Sequence, residues 1–383
     1  MQQYKLIGTY GFAIFAMFFG SGNLVFPLSV GFASSNNWLY GFLGFSLTAI
    51  ILPFLGLFVI KLHKGNYYNF FGEAGRFAKI VLPLFTLSLL GSFGVVPRCI
   101  TVAHGGISYV FPEVNLWGFA LLFCIISFCL CLKDKIMVKI LGKWMSPLLL
   151  AALLILISFG VLQSSELATI TDKSETFVNG FLSGYQLMDL FAAFFFSAFI
   201  FKQLQQLMPK GTSDKTLILF AVKASIIGSF LLTIIYLGLV FLGAHYSFLL
   251  NNISPEYMLP AIANYIMGEA GVLFLTIPIL LSCLTTAVAL NNIYARYLCT
   301  LFKLGDNKFP LMLAATTGIS FAISLLDFRA IAAFLAPALE MSYPGLIALT
   351  IMGICFRNKY HNLKMYSFWI ITIVSVIGRM LVD

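Results

Sequence analysis

The chain alternates long apolar blocks with short polar connections, and the blocks predict helices that cross a membrane. Eleven of them run over residues 6–33, 37–60, 78–104, 116–132, 137–162, 178–201, 216–243, 269–301, 309–326, 330–356 and 366–382. Each reaches at least the roughly 17 residues that an α-helix needs to traverse a hydrocarbon core. The longest polar connections, about 163–177 and 244–256, are loop-sized, so a single polytopic domain over residues 1–383 is expected. The first block exceeds the roughly 7–15 apolar residues of a signal-peptide core and lacks a small-residue cleavage site, so it reads as a span that stays.

Two blocks carry polar interruptions. "FFGSGNLVFP", residues 18–27, sets Gly20, Ser21, Gly22 and Asn23 in a row with Pro27 following. Small residues also serve as packing seams between membrane helices. The alternative is a helix broken into 6–19 and 24–34 with an unwound link, tolerable at membrane depth only where it lines a cavity or is buried in protein. The sixth block decides between them. "FVNGFLSGYQLMD", residues 177–189, places Gly180, Ser183, Gly184 and Asp189 ahead of a solid apolar run. Gly-interrupted segments at corresponding positions of two halves mark an inverted-repeat transporter. The expected repeats are 6–162 and 178–356, with 366–382 as an extra helix.

Composition agrees: 60% of residues are hydrophobic, 10% are charged, and Phe alone supplies 40 of 383. A soluble domain has no way to hide that much apolar surface. The formal charge of +9 looks at first like a nucleic-acid signal, but its distribution argues against one. With the N-terminus inside, eighteen Lys and Arg residues collect on one side and only Lys173, Arg329 and Arg379 on the other. Glu113, Glu166, Asp172, Glu175, Glu256 and Glu269 lie on that second side. Basic residues near span ends set orientation, so a cytoplasmic N-terminus is expected. Cys124, Cys129 and Cys131 cluster, but 129 and 131 point to nearly opposite sides of a helix, so no metal cage is expected.

The chemistry of the broken span follows from helix ends. A half-helix starting near Leu24 offers free N–H groups and the positive end of its dipole, so the Ser21, Gly22 and Asn23 amides suit a carboxylate. The half ending near Phe19 offers carbonyls that suit an ammonium group or a bare cation. Phe181, Tyr185 and Leu187 are expected as apolar walls. In "LSCLTTAVAL", residues 281–290, Thr285 and Thr286 either bond back to carbonyls one turn earlier or add hard oxygens of the kind Na⁺ accepts. Intramembrane ionisable residues are functional candidates. Asp189 is a helix cap or a charge-relay residue. Arg98 is a structural counter-charge or a member of that relay, and Glu340 is its partner or a protonatable site.

Five blocks, "FFGSGNLVFPLSVG", "VVPRCITV", "GFLSGYQLMDLFAAFFF", "LSCLTTAVAL" and "SYPGLIAL", together resemble the branched-chain amino acid:cation symporter family. The resemblance implies an all-α membrane protein of the leucine-transporter fold, a 5+5 inverted repeat with helices one and six discontinuous. It implies bacterial uptake of leucine, isoleucine and valine across the cytoplasmic membrane, coupled to Na⁺ or H⁺, with no cofactor. By the same resemblance, Gly20, Ser21, Gly22 and Asn23 meet the substrate. The carbonyls of Ala16, Phe19 and Ser282 and the hydroxyls of Thr285 and Thr286 form the cation site, and Gly184, Tyr185, Met188 and Asp189 match the broken sixth span. The chain departs from the family pattern at Leu28, Leu187, Arg296 and Glu340, and in having eleven spans where most members have twelve. Leu187 and Glu340 bear on substrate range and coupling ion. A carrier of another neutral amino acid is the main alternative. A channel needs no paired broken helices, and an enzyme needs a nucleophile–base set or metal spacing that the sequence lacks.

Overall fold

The computed structural model describes residues 2–132, 134–164, 172–207, 214–357 and 359–382; among the charges used for orientation, Lys133, Glu166 and Lys210 lie outside the described residues. The elements are helical throughout these residues. Six stretches are long and apolar enough to cross a membrane. The pair Lys173–Tyr185 and Asp189–Ala198, bent by 41°, makes a seventh, and shorter apolar helices at Ile7–Phe18, Leu116–Cys131, Pro147–Leu162 and Phe309–Ser324 fill the remaining blocks.

Span one is two helices, Gln2–Phe18 and Ser21–Ser34. The link is shorter than expected. Helix resumes at Ser21 rather than near Leu24, because Gly20 is extended and its N–H donates to Asn23 Oδ1 at 2.8 Å. That bond caps the second half from within its own first turn. Span six begins at Lys173 rather than 178, because Asp172 accepts from the N–H groups of Ser174 and Glu175 at 3.1 and 2.9 Å. Its break lies at Gln186–Met188, with Met188 at φ +60°, beyond the glycines that suggested it. Two further interruptions were not anticipated. Span three is parted into Ala78–Leu90 and Val95–Val110. The helix of span eight starts at Pro255, and Gly268 at φ +70° turns it ahead of the expected start.

Glycines explain how the broken spans pack. A Cβ on Gly180 would overlap the Gly41 carbonyl, and one on Gly44 would overlap the Phe177 carbonyl, so span six lies backbone against backbone on span two. A Cβ on Gly31 would overlap the Val240 carbonyl, and one on Gly243 the Leu28 carbonyl, so span one lies equally close to span seven (Asp214–His245). Each broken span thus rests on the second span of the other half, a reciprocal exchange. Buried Phe15, Phe19, Phe45, Phe191 and Phe194 fill the space around the crossings. Span eleven, His361–Val382, stands at the edge. It is tied on by Lys364 Nζ to Glu73 Oε1 at 2.8 Å and by Trp369 Nε1 to the Ala74 carbonyl at 2.9 Å.

Candidate functional site

A small cavity of about 20 Å³, room for about one water molecule, lies where the two broken spans meet, lined among others by Gly20, Ser21, Gly22, Asn23, Arg98, Leu187, Asp189 and Thr286.

Asn23 joins three spans. Its carbonyl oxygen takes the Gly20 N–H, and its Nδ2 donates to Asp189 Oδ2 at 2.9 Å and to the Tyr236 hydroxyl. Tyr236 in turn donates to Asp189 Oδ2 at 3.4 Å. Asp189 is the first residue of the second half of span six and is 4% exposed. Sequence reasoning missed Tyr236, which reads as one more aromatic of an apolar helix. The signal was its hydroxyl, which needs a partner when buried.

The expected cation ligands gather beside the break, with a different bonding pattern. Ser282 presents its hydroxyl, not its carbonyl, to Phe19 O at 3.2 Å, and Thr285 Oγ1 bonds back to the Ser282 carbonyl at 2.8 Å. Thr286 faces the cavity: a Cβ on Gly20 would lie 3.3 Å from its methyl and 3.7 Å from its hydroxyl. Because the Gly20 N–H turns to Asn23, the Ala16 carbonyl loses the donor that a continuous helix would give it. Cys99 Sγ contacts Ser21 Oγ at 3.5 Å, tying span three to the same turn. Among the described residues no group of three or more His, Cys, Asp or Glu is placed to hold a metal.

Two of the expected wall residues, Phe181 and Tyr185, sit elsewhere with Gly184. The Phe181 carbonyl accepts from Thr48 Oγ1 at 2.8 Å, a Cβ on Gly184 would overlap that same hydroxyl, and Tyr185 stacks on Tyr343 at 4.3 Å. They fasten the first half of span six to spans two and ten, because Gly184 leaves no gap there for a ligand; Leu187 is the wall residue. Arg98 and Glu340 do not pair. Arg98 donates to Gln186 through Nη1 to the carbonyl at 2.6 Å and Nη2 to Oε1 at 2.8 Å. Glu340 Oε2 meets Arg379 Nε at 3.3 Å, joining spans ten and eleven away from the cavity. Arg98 and Glu340 thus have separate partners. Gln186, inside the quoted sixth block, was also missed; a carboxamide at membrane depth needs a partner.

A family described as "Branched-chain amino acid transport protein" matches residues 3–382. The branched-chain amino acid permease BraB of Bacillus subtilis is 30% identical over 91% of this chain and 79% of its own. The permease BrnQ of Corynebacterium glutamicum is 27% identical over 93% of this chain and 83% of its own. Among solved structures, Mhp1, a nucleobase-cation-symport-1 family transporter with bromovinylhydantoin bound, superposes with TM-score 0.66 at 13% identity over 90% of this chain and 77% of its own. The Eremococcus coleocola manganese transporter does so with TM-score 0.63 at 14% identity over 98% and 86%. Both likenesses carry the fold, which is the leucine-transporter-like one. The chain is therefore a multi-pass membrane transporter, not an enzyme, and belongs to the branched-chain amino acid transport protein family.

Proposed function

We propose that the protein imports leucine, isoleucine and valine across a bacterial cytoplasmic membrane by symport with Na⁺, in alternating access. The observation that carries this reading is the cavity between the two breaks, which has a pole for each end of a zwitterion. The first-turn N–H groups of Ser21, Gly22 and Asn23 are its positive side; Asp189 and the carbonyl end of the first half of span one are its negative side. Leu187, Leu90, Val95 and Leu290 add apolar wall for a branched side chain.

Sodium is favoured by the oxygens of Phe19, Ser282, Thr285 and Thr286 collected at the break. Proton coupling is the second reading. It rests on Asp189, a buried carboxylate bonded to two neutral groups. The N-terminus is placed in the cytoplasm on the asymmetry of basic residues.

Uptake of labelled leucine into proteoliposomes, competed by each of the twenty amino acids with Na⁺ and pH varied independently, tests the whole reading. Competition by isoleucine and valine, with uptake that follows Na⁺, supports it. Uptake that ignores Na⁺ and follows pH transfers the coupling role to Asp189. Competition led by another neutral amino acid overturns the substrate.

A further inference from the structure

Arg98 is 1% exposed, at membrane depth, and lines the cavity. Among the described residues, ion pairs form at Glu73 and Glu340, and none reaches Arg98. Its terminal nitrogens instead grip one residue, Gln186, whose backbone and side-chain oxygens lie 2.6 and 2.8 Å from Nη1 and Nη2. Two oxygens set side by side are what a guanidinium fork meets in a carboxylate. Gln186 supplies that pattern without the negative charge.

Arg98 Nε is buried and has no acceptor. The rings of Phe26 and Phe328, 5.1 and 5.5 Å from the guanidinium carbon, hold the cation but do not neutralise it. A buried cation with neutral acceptors and a spare N–H is unfavourable until an anion arrives. The first turn of the second half of span one, with its positive dipole end, lines the same cavity, so the space before Arg98 is doubly suited to negative charge.

We propose that Arg98 is the receptor for the α-carboxylate of the substrate, and that Gln186 holds its place while the site is empty. The inference rests on the reading of this cavity as an amino-acid site and narrows the substrate class to molecules with a free carboxylate. Amides, esters and simple amines of the same shape are rejected. Because Gln186 lies in the break of span six, the exchange of its oxygens for those of the substrate releases the joint between that break and span three. Occupancy of the site is thereby felt at a segment whose N–H groups, from Gln186 to Met188, are held only by tight i→i−3 backbone bonds.

The test measures binding of labelled leucine to the purified full-length protein in detergent, with leucinamide and 4-methylpentanoate as competitors, and melting temperature alongside. Leucinamide, which lacks the carboxylate, competes about 10- to 100-fold more weakly than leucine, the range for one charge-assisted hydrogen bond. Arg98→Gln weakens leucine by that factor and leaves leucinamide where it was, so the discrimination collapses.

Gln186→Glu installs a permanent carboxylate against the guanidinium. Leucine binding then falls about 10-fold or more while the ligand-free protein melts higher, since the buried guanidinium gains the opposite charge that Gln186 does not supply. Gln186→Ala binds leucine at least as tightly as the wild type. A purely structural Arg98–Gln186 joint predicts the reverse order for the two Gln186 variants. That order, or a folded Arg98→Gln protein that still prefers leucine to leucinamide, overturns the proposal. If Arg98→Gln does not fold, the Gln186 pair decides alone. Another neutral amino acid bound with the same Arg98 dependence removes the branched-chain reading and keeps this one. Leucine bound regardless of Arg98 does the opposite.

Discussion

Replacing Asn23 by Leu keeps the branched outline of the side chain and removes both polar atoms that Asn23 brings to the junction of spans one, six and seven. The Gly20 N–H loses its acceptor, and Asp189 loses the nearer of its two donors, leaving Tyr236 at 3.4 Å. A buried group left unsatisfied costs roughly 1–3 kcal/mol, and more where a charge is involved. Two such groups give about 2–6 kcal/mol, a large fraction of the roughly 5–15 kcal/mol that holds an ordinary domain together. Tyr236→Phe removes one hydroxyl and should cost only ~1 kcal/mol. Melting of the purified proteins in detergent should therefore rank wild type, Tyr236→Phe, then Asn23→Leu well below both. Leucine uptake should be lost in Asn23→Leu, because the capped break defines the cavity. An Asn23→Leu protein that melts with the wild type and transports at its rate would refute the idea that this carboxamide pins the break.

Thr286→Val should raise the Na⁺ concentration for half-maximal leucine uptake and weaken leucine binding at fixed Na⁺, by linkage of about 1–3 kcal/mol; unchanged ion dependence removes the threonine from the cation site. Gly180→Val should prevent assembly, since its Cβ would overlap the Gly41 carbonyl, whereas Gly318→Ala, with nothing within 4 Å, should be stabilising by ~0.5–1 kcal/mol. Equal yields of the two from membranes would contradict the close crossing. Burial alone would push the Glu73 carboxyl up, but hydrogen bonds from His63 and Lys364, with their charges, together hold it below its ordinary range. Its contribution to stability is thus complete above the unfolded value, about 4.3, and is lost as pH falls through the lower folded value. Melting of Glu73→Gln should be the flatter of the two curves across that acid limb, and parallel curves would exclude the effect.

The architecture was legible because lipid imposes a strong rule: an unwound backbone in an apolar run has to line or join something. "GSGN" announced the first break, yet its limits were misjudged by three residues. Composition shows that a helix is interrupted there, while the bond from Gly20 to Asn23 decides where it restarts. In span six the glycines misled in the other direction. Gly180 and Gly184 serve close approach to span two, and the break falls at Gln186–Met188, where no glycine is present. Spacing in sequence does not distinguish a glycine that frees the backbone from one that admits a neighbour. The partners of Arg98, Asp189 and Glu340 were out of reach for a simpler reason, since each lies on a different span whose rotation only packing determines.

The reciprocal seating of span one on span seven has a consequence for how the chain is made. Some 180 residues separate Ser34 from Asp214, and at roughly 5–20 residues per second a ribosome takes about 10–40 s to supply them. During that wait the first span sits in the bilayer without Tyr236, without Asp189 and without the groove that receives Gly31. An interrupted helix facing lipid alone leaves backbone groups with no acceptor. The nascent span is therefore better off as an unbroken helix, and the break belongs to a late step of biogenesis, when the second half arrives. A truncated chain ending before span seven should accordingly hold residues 18–24 in continuous helix, and should depend on the insertion machinery for shelter until its partner emerges.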